Sequence, residues 1–553
     1  MDRAVDPDRA AVTPRRWGGS AWLAIVPLAF LGVFFVYPVA TIMARGLVVD
    51  GSLDLSPLGD VLTDPGLQHV IWFTVWQAAV STLLTLAVAL PGAYVVSRYE
   101  FRGKSLVRAA VTVPFVLPTV VVGAAFLALL GAGGPLGALG LDQTVWAILL
   151  AHVFFNYAVV VRTVGGLWVH LDPHQEEAAR VLGAPRWRTF LEVTLPTLRP
   201  AIAAAAAIVF LFTFTSFGVI LILGGPRFAT IETEIYRQTA LLLNLDVAAA
   251  LTIVQLVAVL ALLVVTNRLE GRDAVALRLR AARETAHQPR TRRERSVVAA
   301  NLAVMAIVLG IPLLVLVERS LHTSDGYGLG FYRALGSLGD NSILFTSPLN
   351  AAATSIRYAA IATIVAVVVG GCGAIAIARR RRGALDAIVA LPLGVSAVTV
   401  GFGFLVALDE PPLDLRTSWM LVPLAQALVA IPFVMRTMTP VLRSIDPRLR
   451  EAAATLGAPP VRVWREVDLP IVARAVVVAA GFAFAISLGE FGATVFIVRP
   501  DTPTLPVEIF RLLGRPGPQN AGAAMAASVL LMAITALAIL GIERFRVGGV
   551  GEF

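Results

Sequence analysis

Long apolar runs alternate with short polar stretches along the chain, and the runs have the length that a bilayer demands. A helix that crosses the hydrocarbon core needs about 20 consecutive, mostly apolar residues, and about twelve runs meet that criterion. In the first half they fall at Ala21–Met43, Val70–Ser97, Ala109–Leu130, Thr144–Val161, Ala201–Leu223 and Val247–Thr266. In the second half they fall at Val297–Val317, Ala351–Ala378, Ala384–Leu408, Ser418–Val434, Ala475–Val498 and Ala521–Ile542. Within lipid a lone strand would leave its backbone groups unpaired, so the pattern predicts an all-α polytopic membrane protein.

Composition agrees, with 57% hydrophobic and 15% charged residues, more apolar surface than a soluble fold can cover. A net charge of +9 would by itself admit a nucleic-acid partner. The placement of the basic residues speaks against one. With the N-terminus placed in the cytoplasm, the cytoplasmic stretches are 1–19, 98–108, 162–199, 267–295, 379–382, 436–474 and 543–553, and they hold 35 of the 45 Lys and Arg. Such a skew follows the positive-inside rule and predicts that both termini are cytoplasmic. The run after Arg15-Arg16 is too long for a cleaved signal and reads as the first anchor. Cys372 is the single cysteine and lies in an apolar run, so it reads as a packing residue; no metal cluster is expected.

The polar loop after the fourth run recurs after the tenth at a constant offset of 274 residues. Arg162-Thr163 matches Arg436-Thr437, Asp172-Pro173 matches Asp446-Pro447, and Glu177-Ala178-Ala179 matches Glu451-Ala452-Ala453. The register persists through Gly183 and Gly457, Leu195-Pro196 and Leu469-Pro470, and Phe217-Gly218 and Phe491-Gly492. Each half is therefore a unit of six spans, and an even number of crossings keeps the two units parallel. The expected organisation is a tail (1–19), a first transmembrane domain (20–266), an Arg-rich solvated linker (267–296), a second transmembrane domain (297–546) and a short tail (547–553). Within each repeated loop the Asp-Pro pair predicts a helix start and the glycine a helix stop. Leu195-Pro196 and Leu469-Pro470 are expected to mark the turn back into the bilayer.

Glu-Ala-Ala, then Gly, then Leu-Pro at this spacing resembles the signature loop of ABC importer permeases. Both copies carry it, with Val193 and Val467 where the family usually has isoleucine. The chain as a whole resembles fused, two-repeat permeases of type I ABC importers in the ferric-iron and thiamine group. That resemblance implies a bacterial inner-membrane protein, each half folded like a type I transmembrane domain. It also implies two coupling loops, one comprising Glu177, Ala178, Ala179, Gly183, Leu195 and Pro196, the other Glu451, Ala452, Ala453, Gly457, Leu469 and Pro470. Each would seat in a cleft of a separate ATPase subunit, two copies in all, and an extracytoplasmic binding protein would deliver the solute. ATP and Mg would bind the partners only. The chain itself has no Gly-x-x-x-x-Gly-Lys-Ser/Thr loop, its one lysine is Lys104, and no catalytic group is expected.

Polar residues inside spans are expensive and therefore informative. Glu490 and its first-half counterpart Ser216 are candidates for the solute pathway; the alternative for Glu490 is a carboxylate that caps a helix break beside Gly489 and Gly492. His152, Asn156 and Arg357 are expected to make interhelical hydrogen bonds. Glu232, Glu234, Asp501 and Glu508, with Arg227, Arg237, Arg499, Arg511 and Arg515, read as outer loops, either solvated or facing a docking protein. A gradient-driven secondary transporter with two parallel six-helix repeats would share the topology. Such carriers repeat their charged motif after the second span of each half. Here the repeated loop follows the fourth.

Overall fold

The computed structural model describes residues 21–49, 51–270, 285–324, 326–337, 346–378, 395–409, 411 and 413–543. The first half comprises α1 (Leu23–Leu47), α2 (Pro65–Arg98), α3 (Lys104–Val116), α4 (Thr119–Leu130), α5 (Val145–Trp168), α6 (Pro173–Val181), α7 (Arg186–Phe214), α8 (Gly218–Leu223), α9 (Ile231–Tyr236) and α10 (Leu245–Glu270). The second comprises α11 (Arg292–Leu321), α12 (Pro348–Ala378), α13 (Ala397–Ala407), α14 (Leu421–Ser444), α15 (Pro447–Thr455), α16 (Pro460–Gly489), α17 (Thr494–Ile497), α18 (Leu505–Leu513) and α19 (Pro518–Glu543). Strands are confined, among the described residues, to two matching hairpins, Val48–Val49 with Ser52–Leu53 and His322–Thr323 with Gly326–Tyr327.

Ten of these helices are long and apolar enough to span a membrane, and an eleventh span exists if one bent pair is counted. The predicted third span is that pair: α3 and α4 meet at 101°. The cause is Pro118, which lacks an N–H donor and drives Leu117 out of the helical region to ψ 140°. Its counterpart in the second half begins at Ser396, whose hydroxyl accepts the Thr399 N–H at 3.0 Å to cap α13; the preceding part of the predicted ninth span, 384–394, lies outside the described residues.

The Leu-Pro pairs do not turn the chain. Each lies inside one helix that already begins at Arg186 or Pro460, just after a π-helical turn at Phe190–Thr194 or Trp464–Asp468. A proline inside a helix has no N–H to give, and its ring crowds the carbonyl four residues back. One wider turn relieves that crowding. The same device precedes Pro38 and Pro312, at Gly32–Val36 and Ala306–Gly310, so the 274-residue register reaches the first span of each half.

The two halves exchange their first helices. α1 packs against α12 and α13 of the second half, and α11 packs against α2 and α4 of the first. Leu31 and Phe35 thus share a core with Tyr358 and Phe404, while Met305 and Leu309 share one with Phe154 and Tyr157. Small residues admit the exchanged helices: a Cβ on Gly92 would lie 2.1 Å from the Tyr157 hydroxyl oxygen and 2.8 Å from the Met305 terminal methyl carbon. The linker is also held at its end. The His287 N–H donates to the Arg98 carbonyl at 3.0 Å, the Glu100 N–H donates to the His287 carbonyl at 2.9 Å, and the Thr285 hydroxyl donates to the Val169 carbonyl.

Gly92→Leu should therefore loosen the grip of α2 on both α5 and α11, at about 1–3 kcal/mol for overpacking. The expected result is a lower unfolding temperature of the detergent-solubilised protein, while Gly59→Leu, in open space, leaves it unchanged. Equal unfolding temperatures for the two variants would contradict this packing.

Candidate functional site

The two repeated loops form helices with no buried residue, α6 and α15, standing clear of the bundle. At their starts, Asp172 accepts the His174 N–H at 3.1 Å and Asp446 accepts the Arg448 N–H at 2.9 Å. At their ends the chain closes in the same pattern twice. The Gly183 and Ala184 amides donate to the Arg180 and Ala179 carbonyls, and the Gly457 and Ala458 amides donate to the Ala454 and Ala453 carbonyls. Such a closure needs a left-handed residue, and Gly183 and Gly457 have φ of +90° and +81°. Glu177, Ala178, Glu451 and Ala452 are exposed; Ala179 and Ala453 are half-buried. Leu182 and Leu456 are each 88% exposed, an unusual setting for leucine and one that suits a surface meant to be covered. Leu195 and Pro196, and Leu469 and Pro470, sit one helix further on, in α7 and α16.

What fixes these helices to the bundle is one position before each Glu-Ala-Ala. Glu176 takes a 2.8 Å ion pair from the buried Arg98 at the end of α2 and a 3.0 Å hydrogen bond from Thr194. The matching pair, Arg450 and Asp468, is a 2.7 Å ion pair. Charge is reversed between the halves while the tether is kept. The offset of 274 aligns Glu176 with Arg450 and Thr194 with Asp468, so complementary changes at two aligned positions were the available signal; matching only identical residues misses them.

The second region is the seam between the halves. Phe217 and Phe491 stack across it with centroids 5.5 Å apart and planes at 22°. Tyr236 packs edge-on to Phe217 at 5.6 Å, and its counterpart Phe510 lies 5.4 Å from Phe491. The rings close the space between the halves where α8, α9, α17 and α18 dip into it. Gly218 and Gly489 permit the approach: a Cβ on Gly218 would lie 3.3 Å from the Phe491 ring, and one on Gly489 3.0 Å from the Pro118 ring.

Both predicted pathway residues border this seam, buried. Ser216 meets His152 Nε2 at 2.9 Å, and His152 Nδ1 meets the Ser81 hydroxyl at 3.0 Å, so one imidazole ties α2, α5 and the end of α7. Glu490 is a helix cap. It accepts the amides of Ala493 and Thr494 at 2.7 and 3.0 Å, and the Thr494 hydroxyl as well. Asn156 donates within its own helix, to the His152 carbonyl at 3.0 Å. Arg357 departs from the expected hydrogen bond: it is exposed and lies over the Tyr358 and Trp419 rings, 5.3 and 5.8 Å from their centroids.

The supposed outer loops are largely internal. Glu232, Glu234 and Glu508 are at most 1% exposed. Glu234 accepts two 2.8 Å bonds from Arg237 and one of 2.6 Å from Gln238, and Glu508 lies 3.6 Å from Arg511. Only Asp501, paired with Arg499 at 3.1 Å, keeps the exposed setting expected of the group's acids. Segments as short as α9 and α18 carry too little apolar sequence to announce that they re-enter the protein.

Residues 89–271 and 362–546 each match the family described as binding-protein-dependent transport system inner membrane component. The thiamine transport system permease protein ThiP of Salmonella typhimurium is 28% identical over 494 residues, 86% of this chain and 89% of its own length. ThiP of Escherichia coli is 28% identical over 491 residues, 85% of this chain and 88% of its own. The probable ABC transporter permease protein y4fN of Sinorhizobium fredii is 24% identical over 565 residues, 96% of this chain and 97% of its own. Full-length likeness to permease subunits, with the family matched once per half, disfavours the gradient-driven alternative and assigns ATP hydrolysis to a separate subunit. The chain belongs to the binding-protein-dependent inner-membrane component family, as a multi-pass permease with both repeats of a type I ABC importer fused in one polypeptide.

Proposed function

We propose that this permease carries thiamine or a closely similar organic cation inward, and that α6 and α15 are its two coupling helices. The observation that carries the coupling reading is their shared geometry: two exposed helices, each tethered at one flank, each ended by a left-handed glycine, each presenting Glu-Ala-Ala and an uncovered leucine. Two such surfaces suit two copies of an ATPase subunit, one per helix. Between the solutes the sequence resemblance implies, thiamine has the support of the relatives that span most of the chain. The distribution of Lys and Arg supports cytoplasmic termini, a cytoplasmic position for both helices, and an opposite face open to a substrate-binding protein. On this reading residues 20–266 and 297–546 are the two permease domains, although each borrows the other's first helix.

Purification should recover the chain with two ATPase subunits, and the chain alone should hydrolyse no ATP. Quantitative mass measurement of the complex checks this; a single bound ATPase would contradict the two-helix assignment.

The double variant Glu177→Ala, Glu451→Ala should insert normally, because both side chains are exposed and outside the spans. At a docked surface, losing a carboxylate strands a basic partner at about 2–5 kcal/mol of association. Loss of co-purifying ATPase and of uptake at unchanged membrane level is the expected outcome. Normal uptake with full ATPase retention would remove the coupling role.

At Gly183 and Gly457 an added Cβ meets nothing within 4 Å, so within the chain the effect of a larger residue comes from the backbone. Valine at both should cost about 1–2 kcal/mol per site in the left-handed region and reduce uptake, whereas asparagine, which tolerates that region, should restore most of it. Equal uptake by the two double variants would refute the helix-end argument.

A further inference from the structure

Five carboxylates are buried among the described residues: Glu232, Glu234, Asp468, Glu490 and Glu508. Four have a structural explanation. Glu234, Asp468 and Glu508 pair with Arg237, Arg450 and Arg511, and Glu490 caps a helix. Glu232 lies in the first turn of α9, as Glu234 does, but among the described residues it has no ion pair and accepts no backbone amide. With no exposed surface, its Oε2 accepts the Ser396 hydroxyl at 3.1 Å, and its Oε1 accepts the Gln255 amide nitrogen. Neutral hydrogen bonds are poor compensation for a carboxylate withdrawn from water, so this group is unfavourable for stability alone.

Its position suggests what offsets that. Glu232 follows Ile231, and both Ile231 and Ile235 belong to the same core as Phe217 and Phe491 at the seam. Ser396 belongs to the other half, so the Glu232–Ser396 bond crosses the seam and breaks whenever the halves part there. The 274-residue register puts Pro506 opposite Glu232, so the repeat supplies no second copy of the group. Beside it, Gln255 Oε1 is buried without a hydrogen-bond partner among the described residues. The carboxylate, and the Gln255 carbonyl oxygen left unpaired when the Gln255 amide nitrogen donates to it, are acceptors suited to a cation that also carries N–H donors.

We propose that Glu232 is the counter-charge met by an organic cation crossing the seam, and that Ser396 holds the carboxylate in place while the pathway is closed. This rests on the cation-import reading above. Thiamine fits the chemistry: a fixed positive ring and an amino group on a second ring. Parting of the halves would free Glu232 from Ser396 and leave Gln255 with it on the same half.

The test is uptake of labelled thiamine by proteoliposomes holding the permease with its ATPase, driven by the loaded binding protein. Glu232→Gln keeps the shape and removes the charge, and uptake should fall about tenfold or more, with bound ATPase and its stimulation by the binding protein preserved. Glu232→Asp should recover part of the rate. Ser396→Gly, which removes the closed-state partner while glycine still serves at the cap of α13, should stay within about twofold of the unaltered complex. Wild-type uptake by Glu232→Gln would overturn the proposal. Loss of bound ATPase from that variant would make Glu232 a structural residue and overturn it equally. An unaltered complex that binds its ATPase yet carries no thiamine would remove the cation assignment and leave the permease reading standing.

Discussion

Every backbone amide and carbonyl at membrane depth must find a partner, because hydrocarbon offers none, and the architecture follows from that requirement. Ten long helices meet it internally. The irregular segments, Thr215–Tyr236 and Glu490–Leu513, break the rule locally and are tolerated because the two halves cover them. Side chains then do what a continuous helix would have done. Glu490 accepts two amides at the start of α17, Thr233 accepts the Thr230 amide at 2.8 Å, and the Thr74 hydroxyl accepts the Ile231 amide at 3.0 Å. A transport pathway needs broken helices, and the same breaks bring polar groups to the seam.

The exchange of first helices gives the seam its strength and its limits. α1 and α11 each pack across the boundary, so the halves are bound together along their flanks while the rings of Phe217, Tyr236, Phe491, Phe496 and Phe510 meet in the middle. The Arg98–Glu176 and Arg450–Asp468 pairs connect the bundle to the exposed helices, so each is held to α2, α7 or α16 by a side-chain ion pair as well as by its loop. The end of the linker adds to this on one side only, since His287 is hydrogen-bonded to the backbone on either side of Tyr99, next to Arg98.

Much was legible in the sequence because the physics involved is local or periodic. Span length follows from hydrocarbon thickness, helix starts from Asp-Pro, helix ends from glycine, and the repeat from a constant offset; the last three are all visible in α6 and α15. What local reasoning misjudged was the effect of proline. At Leu117-Pro118 it bends a span by 101°, yet at Leu195-Pro196 a single π turn absorbs it, and the residues themselves do not say which will occur. The difference lies in what packs around each bend.

The sequence by itself determined a membrane-embedded, two-repeat, helical protein with two matched exposed loops, because hydrophobic length, charge placement and repetition are properties of the chain. Only the tertiary structure decided which helices exchange between halves, that Glu232, Glu234 and Glu508 are internal, and that Glu490 is a cap while Glu232 is bound by neutral groups. Those facts depend on contacts between residues far apart in the chain, such as Glu232 with Ser396 and Phe217 with Phe491. A linear pattern gives a residue's cost of burial. It does not give the partner that offsets it.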